Sequence, residues 1–320
     1  MDISKGRLST PAVRKPRGFT VIELLVCMTV VAILISLMAA AIAQTREAAR
    51  RAQCRSHLKQ LVLAIHNFHD CANRLPPLEI ADSWATWAVF ILPGLDQSPM
   101  FSQWDLRRRY YVQPATAGSD LPVFHCPSRP AVASANLGTP GLFSDGIHRG
   151  PPGWSDFGAC AGTSRSYLNG SMTRAIDIST SLPSTQPGAG SGDVSSRIHP
   201  GWRLALAFRD LSTDGMSNTV LLGEMHIPVG RKLDSVFNGD NPPGYTRILG
   251  GRPTDAARYP IVDQPTYLGT DWSDRFGSAH PGVCHFGLAD GSVRGLNVSI
   301  DLQVLDGLSR RGDGLPVSLE

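Results

Sequence analysis

"GFTVIELLVCMTVVAILISLMAAAIAQ", residues 18–44, decides how the rest of the chain is read. Leu24 to Ala43 carries no charge, and only Thr29 and Ser36 are polar. At about 1.5 Å of rise per residue, a helix of that length reaches roughly 30 Å, the thickness of a bilayer's hydrocarbon core. One acid, Glu23, stands at the mouth of the run. A carboxylate beside a membrane span costs roughly 2.5–3.5 kcal/mol, so its presence there calls for a function. Ahead of the run lies a basic leader, Lys5, Arg7, Arg14, Lys15 and Arg17 against Asp2.

A membrane anchor, a secretion signal and a buried core helix each account for part of this. Ala41-Ile42-Ala43 is an A-x-A pattern, after which a secretory signal could be cut. The apolar run, however, exceeds the roughly 7–15 residues usual for such a signal. The chain's formal charge of +3 resides in the leader, and residues 19–320 hold 25 basic and 26 acidic side chains. That balance weakens any reading of the body as a polyanion binder, since phosphate contacts need clustered Lys and Arg. Of six cysteines, Cys27 lies in the apolar run, leaving Cys54, Cys71, Cys126, Cys160 and Cys284. Five allow at most two disulfides within the chain, and spacing does not fix the pairing.

Helical periodicity continues beyond the apolar run. Leu58, Leu61, Val62, Ile65 and Phe68 follow the i, i+3, i+4, i+7 pattern of one buried face. Arg50, Arg51, Arg55 and Lys59 fall largely elsewhere, as a solvated face would. No Gly or Pro interrupts Phe19 to Cys71, so a single helix of about fifty residues is expected, stopped by Asn73 and Pro76-Pro77. Beyond it, Trp84–Leu92, Leu121–Phe124, Leu204–Phe208, Thr219–Gly223, Val283–Phe286 and Ser292–Leu296 are short apolar runs between Gly, Pro, Asp and Asn. They read as strands of a largely antiparallel sheet, with a hairpin turn at Asp290-Gly291-Ser292. Residues 177–200, rich in Ser, Thr, Pro and Gly, read as a surface loop. The expected fold is α+β, a long N-terminal transmembrane and amphipathic helix packed on a β-sheet head.

The stretch Arg17 to Val26 resembles the prepilin-type cleavage and methylation motif of type IV pilins and type II secretion pseudopilins. The resemblance implies cleavage between Gly18 and Phe19 by a membrane peptidase and N-methylation of Phe19. It implies too that Glu23 neutralises the new terminal amine of a neighbouring subunit. The segments "CRSHLKQLVLAIHNFHDCANRLPP" (54–77), "SWATWAVFILPGLDQ" (83–97), "FHCPSR" (124–129), "DFGACAGT" (156–163) and "DGMSNTVLLGE" (214–224) resemble a large planctomycete family of pilin-like proteins. Its body has no known function and ends in an H-x9-D-G motif, here His280, Asp290 and Gly291. Members usually carry Gly-Gly and Asn where this chain has Gly282-Val283 and His285. The resemblance points to Cys54–Cys126 as a disulfide tying helix to head; Cys71–Cys160 is a further candidate pair that the resemblance does not supply. Buried thiols are the other reading of those positions.

Several constellations invite chemistry. His66 and His69, i, i+3 on a helix beside Asp70, form half a metal site without a ligand-spaced partner. His280, His285 and Asp290, with Asp271 and Asp274 upstream, could hold Ca²⁺, although the spacing is no EF-hand. A structural hairpin, with Gly291 at positive φ, is the simpler reading. Glu79, Asp82, Asp96 and Glu224 offer carboxylates, but no pair is singled out for acid–base work. The chain is therefore expected to be no enzyme. It reads as a pilin- or pseudopilin-like subunit with a leader at 1–18, a membrane helix at 19–43, its amphipathic continuation at 44–71 and a head at 72–320. Prepilin peptidase, sister subunits and the inner membrane are its expected partners, with the head in the periplasm or at the cell surface. An envelope module binding carbohydrate or peptide through Trp84, Trp87, Trp104, Trp154, Trp202 and Trp272 is the alternative.

Overall fold

The computed structural model describes residues 20–81, 84–129, 150–163, 169–177, 202–204, 206–227, 235–239, 246–247 and 275–312. Helix α1 runs unbroken over Val21–Ala72. The chain divides into two compact units, Met1–Ala48 and Ala49–Glu320.

Within the first unit, Thr20 and Glu23 form a reciprocal cap. Thr20 Oγ1 accepts from the Glu23 amide at 3.3 Å, while Glu23 Oε2 accepts from the Thr20 amide at 2.8 Å. This is the Ser/Thr-x-x-Glu capping box that satisfies amides left over at a helix start. The apolar residues that follow are exposed all round, from Val21 at 82% to Ile42 at 46%. The most apolar window of α1 has a mean hydropathy of 2.8 and buries nothing within the protein. Its two hydroxyls are satisfied locally: Thr29 donates to the Val26 carbonyl at 2.9 Å and Ser36 to that of Ile33 at 2.8 Å. Internal satisfaction of every polar group is what hydrocarbon surroundings demand.

In the second unit, the remainder of α1 packs one stripe inward. Cys54, Leu58, Leu61, Val62 and Ile65 are fully buried in the main core, with Phe68 packed at its edge. Asn73 ends the helix in the left-handed region (φ 53°), and its amide donates to the His69 carbonyl. Asn is among the few residues that take this conformation at low cost. The basic residues are only partly the solvated face expected of them. Arg50 donates to Ser128 Oγ (3.2 Å), Arg51 to the Pro281 carbonyl (3.4 Å) and Lys59 to the Gly291 carbonyl, whereas Arg55 stays exposed.

A five-stranded sheet forms the body. Its strands are β1 (Phe157–Cys160), β4 (Val220–Glu224), β5 (Thr246–Arg247), β6 (Val283–Leu288) and β7 (Val293–Asn297). They lie side by side in the order β5-β1-β4-β6-β7. β1, β4, β6 and β7 pair antiparallel, and β5 joins β1 in parallel at the edge. A separate two-stranded piece pairs β2 (Ile176–Asp177) with β3 (Trp202–Arg203). The expected α+β architecture is present. Strand alternation sorts β6 between two layers: Cys284, Phe286 and Leu288 join a second core with Leu305 and Leu308 of helix α4 (Leu302–Ser309), capped by Asp301. His285 and Gly287 take the other face, toward α1. A Cβ on Gly287 would lie closer to Val62 Cγ2 than the 3.0 Å below which real Cβ contacts are essentially never found.

Among the described residues, three of the expected strands do not form as such. Trp84–Leu92 makes only single bridges, Glu79 with Thr86 and Ala85 with Asn238, before the short helix α2 (Trp87–Phe90). The whole run is buried, so its sequence carries no period to distinguish strand from helix. Leu121–Phe124 closes into a 3₁₀ turn begun by Pro122, and the described part of 204–208 adds nothing to β3. A further short helix, α3, covers Ser98–Phe101. Most of the loop expected at 177–200 lies outside the described residues.

Candidate functional site

The most concentrated chemistry in the described residues sits between α1 and the sheet. Alternation along β4 puts Leu222 and Glu224 on the α1 side, and the register with β6 sets Glu224 beside His285. Cys54 enters from the buried stripe of α1, Cys126 from the turn after the 3₁₀ segment and His280 from the loop ahead of β6. Five side chains thus meet at 0–4% exposure: Cys54, Cys126, Glu224, His280 and His285.

Glu224 is the hub. Its Oε1 accepts from Cys54 Sγ at 2.7 Å and lies 3.4 Å from His280 Nε2. Its Oε2 accepts the backbone amide of His285 at 2.8 Å, and the His285 Nδ1 is 3.2 Å away. His280 Nε2 is also 3.4 Å from Cys126 Sγ. With an acceptor on either side, that nitrogen is best protonated, donating between sulfur and carboxylate.

The electrostatics follow from these contacts. Burial pushes Glu224 up, but the hydrogen bond and charge of His285, helped by Cys54 and Ser278, hold it below the ordinary carboxylate range. The two thiols split in opposite directions. The hydrogen bond it gives to Cys126 raises Cys54, along with burial and the charge of Glu224. Cys126 is lowered by receiving that bond and, against burial, by His280. The physical picture is one proton held by Cys54 between two acceptors, with Cys126 next to the imidazole. Cys284 is a neighbour of a different kind: its Sγ approaches the backbone carbonyl of Glu224 at 3.8 Å, and burial raises it.

The surrounding frame is polar where it must be. Asp156 accepts the Cys126 amide at 2.7 Å and pairs with Arg129, which also donates to the Met225 carbonyl. Ser278 Oγ accepts the His280 amide at 3.0 Å.

Several expected sites come apart. The trio His280, His285 and Asp290 is not gathered around one point. Asp290 is exposed in the β6–β7 turn, its Oδ1 taken by the amide and hydroxyl of Ser292 at 2.8 and 2.6 Å. Gly291 has φ 84° and turns its carbonyl to Lys59, so the D-G of the motif shapes a turn that docks on α1. Asp271 and Asp274 lie outside the described residues. His66 stacks on Phe208 at a centroid distance of 4.4 Å and His69 meets the same ring tilted at 4.6 Å, so both pack on an aromatic ring. Of the carboxylates, Glu79 is buried against Arg174, Asp96 is exposed in a turn and Asp82 lies outside the described residues. Trp84, Trp87 and Trp104 belong to the buried core, and Trp154 leans on His125, so these four present no open aromatic platform. Trp272 and the side chain of Trp202 lie outside the described residues.

All six cysteines are free thiols here. Cys54 and Cys126 are brought together. Cys71 is exposed while Cys160 is buried with its sulfur on the Ser309 carbonyl, so that second pair is not formed. Gly18 and Phe19 lie outside the described residues, and Glu23 is engaged with Thr20 as described.

Two family matches cover the chain. The family described as "Protein of unknown function (DUF1559)" matches residues 43–303. The chain belongs to it. A second match, to the prokaryotic N-terminal methylation motif, covers residues 13–39. That motif marks a pilin- or pseudopilin-type precursor, of the kind prepilin peptidase processes, and with one apolar helix it fits a single-pass membrane anchor. Neither description is that of an enzyme family. No curated protein and no solved structure matches the chain.

Within this DUF1559 member, Cys54, Cys126 and the His280–Gly291 motif all fall inside the matched body. Sequence reasoning missed Glu224 as the hub. The available signal was an acid closing the otherwise apolar run Val220–Gly223.

Proposed function

We propose that this chain is a structural subunit of a pilus- or pseudopilus-type assembly, cut between Gly18 and Phe19, N-methylated at Phe19 and held in the inner membrane with its head outside the cytoplasm. The observation that carries the reading is the methylation motif joined to a helix whose apolar half is exposed on every side. Such a surface needs hydrocarbon around it first and neighbouring helices of the same kind afterwards. Glu23 serves the second stage. Its carboxylate, tied to Thr20 within one chain, is placed one turn from the new terminus and is suited to meet the amine of an adjacent subunit. Type II secretion-like and type IV pilus-like machines both use such subunits.

Intact-mass analysis and N-terminal sequencing of the protein from its host's membranes test the processing. A chain that starts at methylated Phe19 is the expected result. A chain that starts at Gln44, or retains residues 1–18, overturns the proposal.

A further inference from the structure

We propose that Cys54, Cys126, Glu224 and His280 hold a zinc ion in a closed four-coordinate site that staples α1 to the sheet. One ligand atom from each lies within 4.8 Å of every other, and all four residues are buried. Two thiols, an imidazole and a carboxylate form a set that suits Zn²⁺ and disfavours Ca²⁺ or Mg²⁺, which take oxygen ligands.

The spacings match. Tetrahedral bonds of about 2.3 Å to sulfur and 2.0–2.1 Å to nitrogen or oxygen put S and N about 3.6 Å apart, and N and O about 3.3 Å. His280 Nε2 lies 3.4 Å from both Cys126 Sγ and Glu224 Oε1. The Cys54 sulfur, now 2.7 Å from Oε1 in a hydrogen bond, opens by somewhat under ~1 Å to reach bonding geometry.

An outer shell is already in place. Oε1 faces the ligands, while Oε2 accepts the His285 amide and the ring Nδ1 lies 3.2 Å from both oxygens, an outer partner that orients the carboxylate. Binding releases the two thiol protons and moves the His280 ring proton from Nε2 to Nδ1, freeing Nε2 for the ion, with no oxidation or reduction. Two thiolates and a carboxylate around Zn²⁺ leave one negative charge, which faces the His285 amide and ring. Cys284 stays outside, its sulfur directed at a backbone carbonyl. A Cys54–Cys126 disulfide would consume the same sulfurs and exclude the ion.

Elemental analysis of the full-length protein, extracted in detergent after zinc-replete expression, tests the site. About one zinc per chain is expected, with Co²⁺ replacement giving thiolate charge-transfer and tetrahedral d–d bands. Cys126→Ser and His280→Gln are expected to lose the metal, and Cys71→Ser to keep it. His285→Gln should retain the stoichiometry with roughly 10–100-fold weaker affinity. A metal-free protein after zinc addition under reducing conditions overturns the proposal. So does zinc retained by both ligand variants, or a Cys54–Cys126 disulfide in peptide maps of the protein as isolated. If the variants misfold, the cobalt spectrum of the unaltered chain decides, and a spectrum lacking the thiolate band overturns the proposal.

Discussion

Gly287→Ala is a one-carbon change whose effect the packing of α1 on β6 determines. The new methyl would intrude on Val62 Cγ2, with Leu58 Cγ at 3.5 Å behind it. Val62 and Leu58 are fully buried, so neither can swing into solvent. Overpacking of this kind costs about 1–3 kcal/mol. Val62→Ala alone gives up a buried valine side chain, about 1.5–3 kcal/mol when complete. Together the changes are complementary, since Val62→Ala removes the carbon that the methyl added by Gly287→Ala strikes. The double variant is therefore expected to be more stable than the sum of the singles predicts, by about 0.5–3 kcal/mol, the range for residues in contact. Guanidinium unfolding of the full chain in detergent measures this, followed by the fluorescence of Trp84, Trp87 and Trp104 in the same core. Strict additivity, or a Gly287→Ala variant as stable as the parent, would refute the claim that β6 reaches α1 through a missing side chain.

Glu23→Gln should preserve the helix start, because Gln also completes a capping box, yet abolish assembly for lack of charge; filament or crosslinking assays showing normal assembly would remove Glu23 from that role. Asn73→Gly should be neutral or slightly stabilising and Asn73→Ala destabilising by about 1 kcal/mol, read from thermal melts, because φ is positive there. Gly291→Ala should cost about 1–2 kcal/mol by the same measurement, from its φ of 84°. Asp156→Ala should be the most damaging, about 3–5 kcal/mol, since it strands Arg129 and the Cys126 amide together.

What the sequence discloses depends on how local the cause is. The stripe Leu58, Leu61, Val62, Ile65 and the stop at Asn73 were readable because helical period and capping act within a few residues. The β6–β7 hairpin was readable through Asp290-Gly291-Ser292 for the same reason. Trp84–Leu92 misled because burial on all sides erases the alternation that separates strand from helix. The strand Phe157–Cys160 and helix α4 went unassigned, each too short to impose a period. The cluster around Glu224 was hidden more deeply. Its members come from four segments with no motif spacing, and only the sheet register places Glu224 beside His285. Cys54, a thiol in line with the buried stripe, and the closely spaced His280 and His285 gave the local hints.

Chain order sets a schedule for that cluster. Cys126 and His280 are 154 residues apart, so at about 5–20 residues per second roughly 8–30 s of synthesis separate them. During that interval both sulfurs exist without the imidazole that later encloses them, and for most of it without the carboxylate. Whatever they meet first, whether oxidant, chaperone or another nascent thiol, has an unopposed opportunity. The order of synthesis therefore exposes Cys54 and Cys126 to one another before the finished structure encloses them.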